Sequence, residues 1–322
     1  LWPFSGTLSA ASAILESDPS YRTVVDERVL PGLAEYLDTV RMPAAYSSYI
    51  HSAPASDRFY DDNVWLGIDF CDLYATTGDE RYLESARMIW RFIESGMDDV
   101  LGGGIYWCEQ KKHSKNTCSN APGTVYALKL HAATKDPHYL EQGKALYAWT
   151  RERLEDTTDG LYFDNVSLDG NISRAKYAYN SGQMVQAGVL LYKATGDTKY
   201  MVEAARAARY TMNSMATDGV LNNEGTGDNA LFKGIFIRYA MNVWRDAEID
   251  KVDATLRKEI EDFIIYNGLI CWTQGLDRSE ESKWFFGSDW TTPGSTWDGQ
   301  LNPQVSATTL IEAMAVLLPE PK

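Results

Sequence analysis

The chain has 322 residues, of which 44% are hydrophobic and 23% charged, the composition of an ordinary globular protein. Its formal net charge of −15 excludes binding to nucleic acid, which depends on concentrated Lys and Arg. No run of about 18 apolar residues occurs, so no membrane-spanning helix is predicted. The four cysteines and four histidines lack zinc-binding spacings, so we expect neither a metal nor a cofactor.

Apolar residues at three- and four-residue spacing predict a mostly helical chain. The predicted helices are 7–16, 21–39, 60–76, 80–95, 119–134, 137–154, 178–194, 198–214, 228–244, 250–266 and 303–317. The chain starts at Leu1 without Met or a charged leader, so we expect a processed or trimmed form.

Two consecutive carboxylates, Asp61 and Asp62, begin the third predicted helix. Cleavage of a glycosidic bond needs one protonated and one ionised carboxyl group. A helix N-terminus stabilises an anion on one Asp, and that negative charge raises the pKa of its neighbour. The alternative is an ordinary helix cap, because Asp is a favoured N-cap residue.

A repeat organises the chain. In three places one helix ends and an Asp caps the next: Asp79, Asp136 and Asp197. The tyrosines three residues further on are 57 and 61 residues apart. Each copy contains a helix, a short turn, a second helix and a longer loop with a brief strand. Six such hairpins would use the whole chain.

Closing six hairpins into a ring of inner and outer helices leaves no exposed ends. We therefore predict an all-α fold, an (α/α)6 barrel with short β elements and long loops at one mouth. The predicted domain is single and spans residues 1–322. An open solenoid is the alternative.

The repeat also predicts where the site lies. Asp62, Ser119 and Asn180 each lie 17 residues before the capping Asp of their copy, at the start of the first helix. A fourth copy contributes Asp228. If these helices form the inner ring, the four side chains gather at one mouth of the barrel. The sequence therefore predicts one polar site there.

At these positions the chain resembles glycoside hydrolase family 76, the retaining endo-α-1,6-mannanases. The resemblance covers about residues 5–318 in order. Its motifs are Tyr60–Trp65 (YDDNVW), Gly102–Trp107 (GGGIYW), Ser119–Pro122 (SNAP), Tyr179–Gln183 (YNSGQ) and Gly227–Gly234 (GDNALFKG).

The resemblance implies an (α/α)6 barrel that hydrolyses α-1,6-mannan through a covalent mannosyl-enzyme intermediate. By position, Asp61 would be the nucleophile and Asp62 the general acid/base. Independently, adjacent Cα atoms lie about 3.8 Å apart, which suits the ~5–5.5 Å carboxyl separation of retaining enzymes.

Other residues at the predicted mouth are candidates for binding substrate, each with packing or capping as the alternative. The candidates for stacking on sugar rings are Tyr60, Trp65, Tyr106 and Trp107. The candidates for binding hydroxyl groups are Ser119, Asn120, Asn180, Gln183 and Asp228. Lys233 is expected to pair with a carboxylate or to remain solvated.

The segment 272–303 is rich in aromatic residues, Trp290 and Trp297 among them. We expect it to form one wall of the cleft, with an aromatic plug as the alternative. Cys108 and Cys118 would pair in an oxidising compartment or remain free thiols.

Several functional alternatives stay open: a mannan transglycosylase, another (α/α)6 glycosidase, a non-catalytic mannan-binding protein and a helical protein-binding scaffold. A uronide-cleaving enzyme would need cationic groups, and the mouth offers mainly Lys233. By the family's usual setting, we expect an exported monomer in an extracellular, cell-surface or periplasmic location.

Overall fold

The structure is a computed structural model and describes residues 1–280, 283–294 and 301–318. The chain forms two compact units: Leu1–Leu154 with Asp164–Arg174, and Glu155–Phe163 with Ala175–Lys322. In the described part of the chain, no helix is both long enough and apolar enough to cross a membrane. The single domain over residues 1–322 stays a prediction.

The first unit is built from helical hairpins. Its helices are α1 (Trp2–Ser17), α2 (Arg22–Val24), α3 (Leu30–Ala34), α4 (Tyr60–Thr77), α5 (Glu80–Ser95), α6 (Thr117–Thr134) and α7 (Pro137–Leu154). Its short strands are β1 (Leu37–Asp38), β2 (Ala45–Tyr46), β3 (Ser114–Asn116) and most of β4 (Phe163–Ser167) and β5 (Ile172–Lys176). Strands β1 and β2 pair antiparallel, and the other three form one sheet in the order β3-β4-β5.

The predicted helix ends are confirmed. Gly78 is the C-cap of α4 and Lys135 is the C-cap of α6, and both have the left-handed backbone conformation. The Asp79 carboxylate then accepts a hydrogen bond from the Arg81 N–H at 3.0 Å, and the Asp136 carboxylate accepts one from the His138 N–H at 2.9 Å. These side chains satisfy amide groups that a helix start leaves without partners.

Helices α4 and α6 pack against each other, and each pairs with the helix that follows it. Their approach is close at Gly67, where an added Cβ would lie 2.1 Å from the Tyr126 ring. Helix α4 is buried on nearly all sides, whereas the second helix of its hairpin, α5, buries one apolar face. This difference fits α4 and α6 as inner helices of the unit.

The second unit continues the pattern. Its helices are α8 (Ala178–Thr195), α9 (Thr198–Ser214), α10 (Phe232–Trp244), α11 (Leu256–Ile270) and α12 (Asn302–Leu317). Its strands are β6 (Ala216–Thr217), β7 (Val220–Leu221), β8 (Leu276–Glu280) and β9 (Lys283–Phe286), paired as two antiparallel hairpins. Helix α10 packs on both α8 and α12, and Gly234 lies so close to Ser306 that a Cβ would come within 2.7 Å of its Cα.

Four predicted helices differ from the structure. The helix predicted at 7–16 starts earlier, at Trp2, and the one predicted at 228–244 begins as a 3-10 turn, Gly227–Leu231, and becomes α-helical at Phe232.

The segment 21–39 is helical only up to Ala34, as consecutive α-, π- and α-helical turns from Arg22 onward, and then forms β1. Pro31, which has no N–H to donate to the preceding turn, is the second residue after the π-helical turn. The helix predicted at 250–266 starts later, at Leu256, and extends to Ile270. Its start is set by the Asp253 carboxylate, which accepts hydrogen bonds from the Thr255 and Leu256 N–H groups at 3.2 Å.

The aromatic segment after α11 contains the β8–β9 hairpin and a buried Trp290. Trp290 packs in the interior, whereas Trp272 and Trp284 are 40% and 52% exposed, so the cleft wall stays a prediction. Trp297 lies outside the described residues.

Candidate active site

The carboxylate pair lies in the first turn of α4, where both side chains are half-buried. The N-cap of this helix is Phe59, whose backbone is extended and whose side chain makes no capping hydrogen bond, so neither aspartate is the N-cap residue. The capping interpretation of Asp61 and Asp62 is therefore wrong. Their positions at a helix N-terminus instead place two carboxyl groups where the helix dipole favours an anion.

The backbone before α4 is anchored by Arg58, a fully buried cation. Its guanidinium donates to Glu109 at 2.7 Å and to the carbonyl oxygens of Arg41 and Pro43 at 3.0 and 2.9 Å. A planar guanidinium with several donors suits this arrangement because each partner occupies a fixed direction. The anchor fixes the chain three residues before Asp61.

Asp61 Oδ2 accepts hydrogen bonds from two side chains, the Trp107 indole Nε1 at 3.1 Å and the Cys118 thiol at 3.4 Å. The second oxygen, Oδ1, is buried and has no hydrogen-bond partner. Burial raises the pKa of Asp61 to about 6, and the hydrogen bonds from Cys118, backbone amides and Trp107 oppose that rise. Asp61 is thus mostly ionised at neutral pH.

Trp107 is held by the backbone on both sides. Its carbonyl accepts from the Tyr60 N–H at 2.9 Å, and its N–H donates to the Ser114 carbonyl at 3.2 Å. The ring contacts Phe59 with centroids 4.8 Å apart, yet 38% of the residue is exposed. An exposed indole beside the carboxylate pair retains the predicted capacity to stack on a sugar ring.

Asn120 has a structural role in place of the predicted sugar contact. Its amide oxygen accepts from the Ile105 N–H at 2.6 Å, and its nitrogen donates to the Ile105 and Asn116 carbonyls at 2.9 and 2.8 Å. In the same way, the Asn63 amide oxygen accepts from the Tyr46 N–H and its nitrogen donates to the Tyr46 carbonyl. These amides are occupied by the backbone and have no group left for a ligand.

Three predicted stacking residues are core residues. Tyr60 is buried and stacks on Phe92 at 4.5 Å. Tyr106 is buried and donates its hydroxyl to Asp98 at 2.8 Å. Trp65 is also buried and meets another indole edge-on with centroids 5.8 Å apart. The structure gives these rings packing roles instead of the predicted sugar contacts.

Ser119 remains a candidate for binding a sugar hydroxyl, since its own hydroxyl is buried without a hydrogen-bond partner. Two further candidates show the same feature in the second unit. Asn180 and Gln183, one turn apart on α8, are fully buried, and both polar atoms of each amide lack a partner. Buried polar groups are nearly always paired in folded proteins, so these amides indicate a site for water or ligand.

Lys233 is buried on α10, and its ammonium group lies 4.0 Å from the centre of the Trp290 ring. The ammonium group has no hydrogen-bond acceptor, so Lys233 does not form the predicted direct ion pair with a carboxylate. Because Lys233 is buried, the alternative of a solvated lysine is also wrong. Burial lowers its pKa to about 8. Asp228 lies on the surface in a short 3-10 turn, Gly227–Leu231, and its sugar contact stays a prediction.

Sequence reasoning missed Cys118 and Glu224. The repeat itself contained a signal for Cys118, which lies 57 residues after Asp61, the spacing between the first two copies. Glu224 accepts a hydrogen bond from the Ala178 N–H at the start of α8 at 2.6 Å. Its burial raises its pKa to about 7.

Cys108 and Cys118 are free thiols in the structure. Among the residues that the structure describes, no group of three or more His, Cys, Asp or Glu side chains is arranged to hold a metal ion.

Comparison with known proteins identifies the family. The sequence profile of glycosyl hydrolase family 76 matches residues 10–321, so the chain belongs to this family. No curated protein sequence matches. The predicted fold class, an (α/α)6 barrel with short strands, is confirmed by the solved structures of the family.

Three solved structures illustrate the similarity. The GH76A alpha-1,6-mannanase from Salegentibacter sp. HEL1_6 is 30% identical, with a TM-score of 0.82, over 98% of this chain and 89% of its own. An inactive variant of that enzyme, with two consecutive aspartates replaced, holds alpha-1,6-mannotetrose; it is 30% identical, with a TM-score of 0.85, over 99% and 90% of the two chains. A family 76 mannosidase from Bacteroides thetaiotaomicron VPI-5482 is 28% identical, with a TM-score of 0.77, over 97% and 86%.

Proposed function

We propose that the chain is a retaining endo-α-1,6-mannanase with Asp61 as nucleophile and Asp62 as general acid/base. The observation that carries the proposal is the consecutive carboxylate pair in the first turn of α4, half-exposed beside the Trp107 indole. In a 30% identical relative, replacing two consecutive aspartates gives an inactive variant that still holds an α-1,6-linked manno-oligosaccharide. The order of the two roles follows the family pattern.

In the first step, an ionised oxygen of Asp61 attacks the anomeric carbon of the bound mannosyl unit. A carbon–oxygen ester bond forms while the glycosidic bond breaks, and Asp62 gives its proton to the leaving oxygen. The pKa of Asp61, about 6, keeps this carboxylate available for attack at neutral pH.

In the second step, water attacks the same carbon and Asp62 accepts its proton. The ester bond breaks, Asp61 returns as a carboxylate, and the product keeps the α configuration because the carbon has been inverted twice. Neighbouring residues suit this mechanism, since the two carboxyl groups must lie only about 5–5.5 Å apart.

Substrate recognition follows from the polar groups that the fold leaves unpaired. We propose that Ser119 of the first unit binds a sugar hydroxyl and that Asn180 and Gln183 of the second unit do so as well, because sugar hydroxyls offer both donors and acceptors to such buried groups. Trp107 supplies an exposed apolar face for the C–H side of a ring. We also propose that the protein acts outside the cytoplasm, since a polymeric substrate does not cross a membrane.

Digestion of linear α-1,6-mannan tests the function. We expect a mixture of manno-oligosaccharides of decreasing size, and proton NMR of the first products should show the α-anomer. Asp61→Asn and Asp62→Asn should each lower kcat by more than about a thousandfold. Asp72→Asn is the matched control, because Asp72 lies on the same helix but pairs with Lys129. Its activity should be unchanged.

The other functions give different products. Mannose alone would indicate an exo-acting enzyme, products longer than the substrate a transglycosylase, and binding without products a carbohydrate-binding protein. A β-anomer as first product would overturn the retaining mechanism. No binding and no cleavage would overturn the substrate assignment.

Chemical rescue distinguishes the two aspartates. Azide added to Asp61→Ala with a 4-nitrophenyl α-1,6-mannobioside should yield the β-mannosyl azide, because azide attacks the face opened by the missing nucleophile. Azide added to Asp62→Ala should yield the α-mannosyl azide from the intact intermediate. The opposite pair of products would reverse the assigned roles.

A further inference from the structure

Asp61 lies in an unusual environment for a carboxylate. Its Oδ1 is buried and unpaired, and burial without a hydrogen bond disfavours a charged oxygen. All of its side-chain hydrogen bonds go to the other oxygen, Oδ2, from Trp107 Nε1 at 3.1 Å and Cys118 Sγ at 3.4 Å. Hydrogen bonds from two side chains to Oδ2 thus oppose the free-energy cost of burying Oδ1.

Both partners are donors by their chemistry. An indole nitrogen can only donate, and an ionised carboxylate can only accept. A thiol beside a carboxylate oxygen therefore directs its S–H toward that oxygen. Cys118 is the second residue of α6 and is 4% exposed, so water does not readily replace its thiol as the donor to Asp61.

The two donors come from separate parts of the unit. Trp107 is fixed by backbone hydrogen bonds to Tyr60 and Ser114, and Cys118 is carried by α6, which packs against α4. Since neither donor belongs to the helix that carries Asp61, together they restrict the rotation of its carboxylate. This restriction is the geometric basis of the inference.

We propose that Trp107 and Cys118 are positioning residues that hold Oδ2 of Asp61 and keep this carboxylate charged and oriented for attack. The inference rests on the proposed function, in which Asp61 is the nucleophile. The two donors also assist the second step, because the carboxylate regains its negative charge when the mannosyl ester bond breaks.

The pH dependence of kcat/KM tests the role of Cys118. In the wild type we expect an acid limb with a midpoint of about 6, set by Asp61. Cys118→Ala removes the donor, so the midpoint should rise by roughly 0.5–1 pH unit and kcat/KM at pH 5.5 should fall about three- to tenfold. KM should change less than about twofold, because Cys118 is not proposed to bind sugar.

Cys118→Ser retains a donor and should keep the midpoint within roughly 0.3 pH unit of the wild type. Trp107→Phe keeps an aromatic ring but removes the N–H group, so its midpoint should rise as in Cys118→Ala. Cys108→Ala is the matched cysteine control, since that sulfur lies 3.9 Å from Gln110 Oε1 and serves a different segment. Its acid limb should be unchanged.

A measurement without substrate separates this inference from the proposed function. Carboxyl ¹³C NMR titration, with Asp61 assigned by its absence in Asp61→Asn, should show a higher pKa in Cys118→Ala than in the wild type. An unchanged Asp61 titration in Cys118→Ala would overturn the positioning role, whatever the enzyme cleaves. A shifted titration in a protein inactive on mannan would retain the positioning role and overturn the function.

Discussion

The first turns of α6 and α8 occupy equivalent positions in the repeat but use their amide side chains differently. At the start of α6, Asn120 binds both backbone groups of Ile105 and the Asn116 carbonyl. At the start of α8, Asn180 and Gln183 are equally buried, yet their amide atoms have no partner. At the start of α6 the buried amide is satisfied by the backbone, and at the start of α8 the buried amides have no protein partner.

The comparison separates two positions that look alike in sequence. Asn63 and Asn120 are the fourth residues of their helices, and both clamp an extended segment. Ser119 and Asn180 are the third residues of theirs, and both have buried polar atoms without partners. In α4 and α6 the fourth residue therefore holds the fold together, whereas the third residue of α6 and of α8 has buried polar atoms without a protein partner; in α4 the two carboxylates fill the second and third positions.

The largest effect is expected from Asn120→Ala. The substitution would leave the buried N–H and C=O of Ile105 without partners, at a cost of about 3 kcal/mol in the free energy of unfolding. Urea denaturation followed by circular dichroism measures this change. A loss below about 1 kcal/mol would contradict the clamp.

Asn180→Ala is the matched substitution in α8 and should act on activity instead. Because its amide has no partner in the folded chain, the free energy of unfolding should change by less than about 1 kcal/mol. With a sugar hydroxyl lost, kcat/KM on α-1,6-mannan should fall about ten- to a hundredfold. A destabilised protein with unchanged kcat/KM would assign Asn180 to the fold.

A pH-dependent effect is expected at Glu224, which accepts from the first N–H of α8. Burial raises its pKa from 4.5 to about 7, so the folded state binds its proton more tightly than the unfolded state. The stabilisation is present below pH 4.5 and is lost as the pH rises through about 7, by roughly 3 kcal/mol.

Glu224→Gln keeps the shape and removes the titration. Relative to the wild type, the variant should gain stability between pH 5 and pH 7.5, which chemical denaturation at several pH values can measure. Measurement should stop at pH 7.5 because Lys233, with its pKa lowered to about 8, titrates above that. A constant difference across the range would show that Glu224 is ionised throughout.

Much of this fold could be predicted because its signals are local. Helical spacing and capping aspartates located the hairpins, since both act within one turn. The segment after Tyr21 was predicted as one helix to residue 39, because the spacing of apolar residues alone does not show that the helical turns stop at Ala34. The carboxylate pair could also be found, because two consecutive acids in one motif are a feature of the sequence itself.

The remaining parts of the site depend on contacts distant in sequence. Whether Asn120 binds backbone or ligand is decided by Ile105, 15 residues away in an extended segment. The Cys118 thiol meets Asp61 only because α4 and α6 pack side by side. Tyr60 and Trp107 are both aromatic and adjacent to the pair, and only packing determines that one is buried and the other exposed.

The smallest expected change in stability concerns the C-terminal ends of α6 and α8. Helix α8 ends at Gly196 with φ 74°, whereas α6 ends at Lys135 with φ 61°, a left-handed conformation that costs a side chain about 1 kcal/mol. Lys135→Gly should relieve that cost. Because glycine also gains freedom in the unfolded chain, the net stabilisation should be only about 0.5 kcal/mol.

The reverse substitution, Gly196→Lys, is the control. A Cβ at Gly196 would meet no atom within 4 Å, so only the backbone conformation opposes it, and we expect a loss of about 0.5–1 kcal/mol. Thermal denaturation of both variants measures the pair of changes. If both lowered stability, the Lys135 side chain would have to contribute an interaction that outweighs its strain, and the equivalence of the two helix ends would fail.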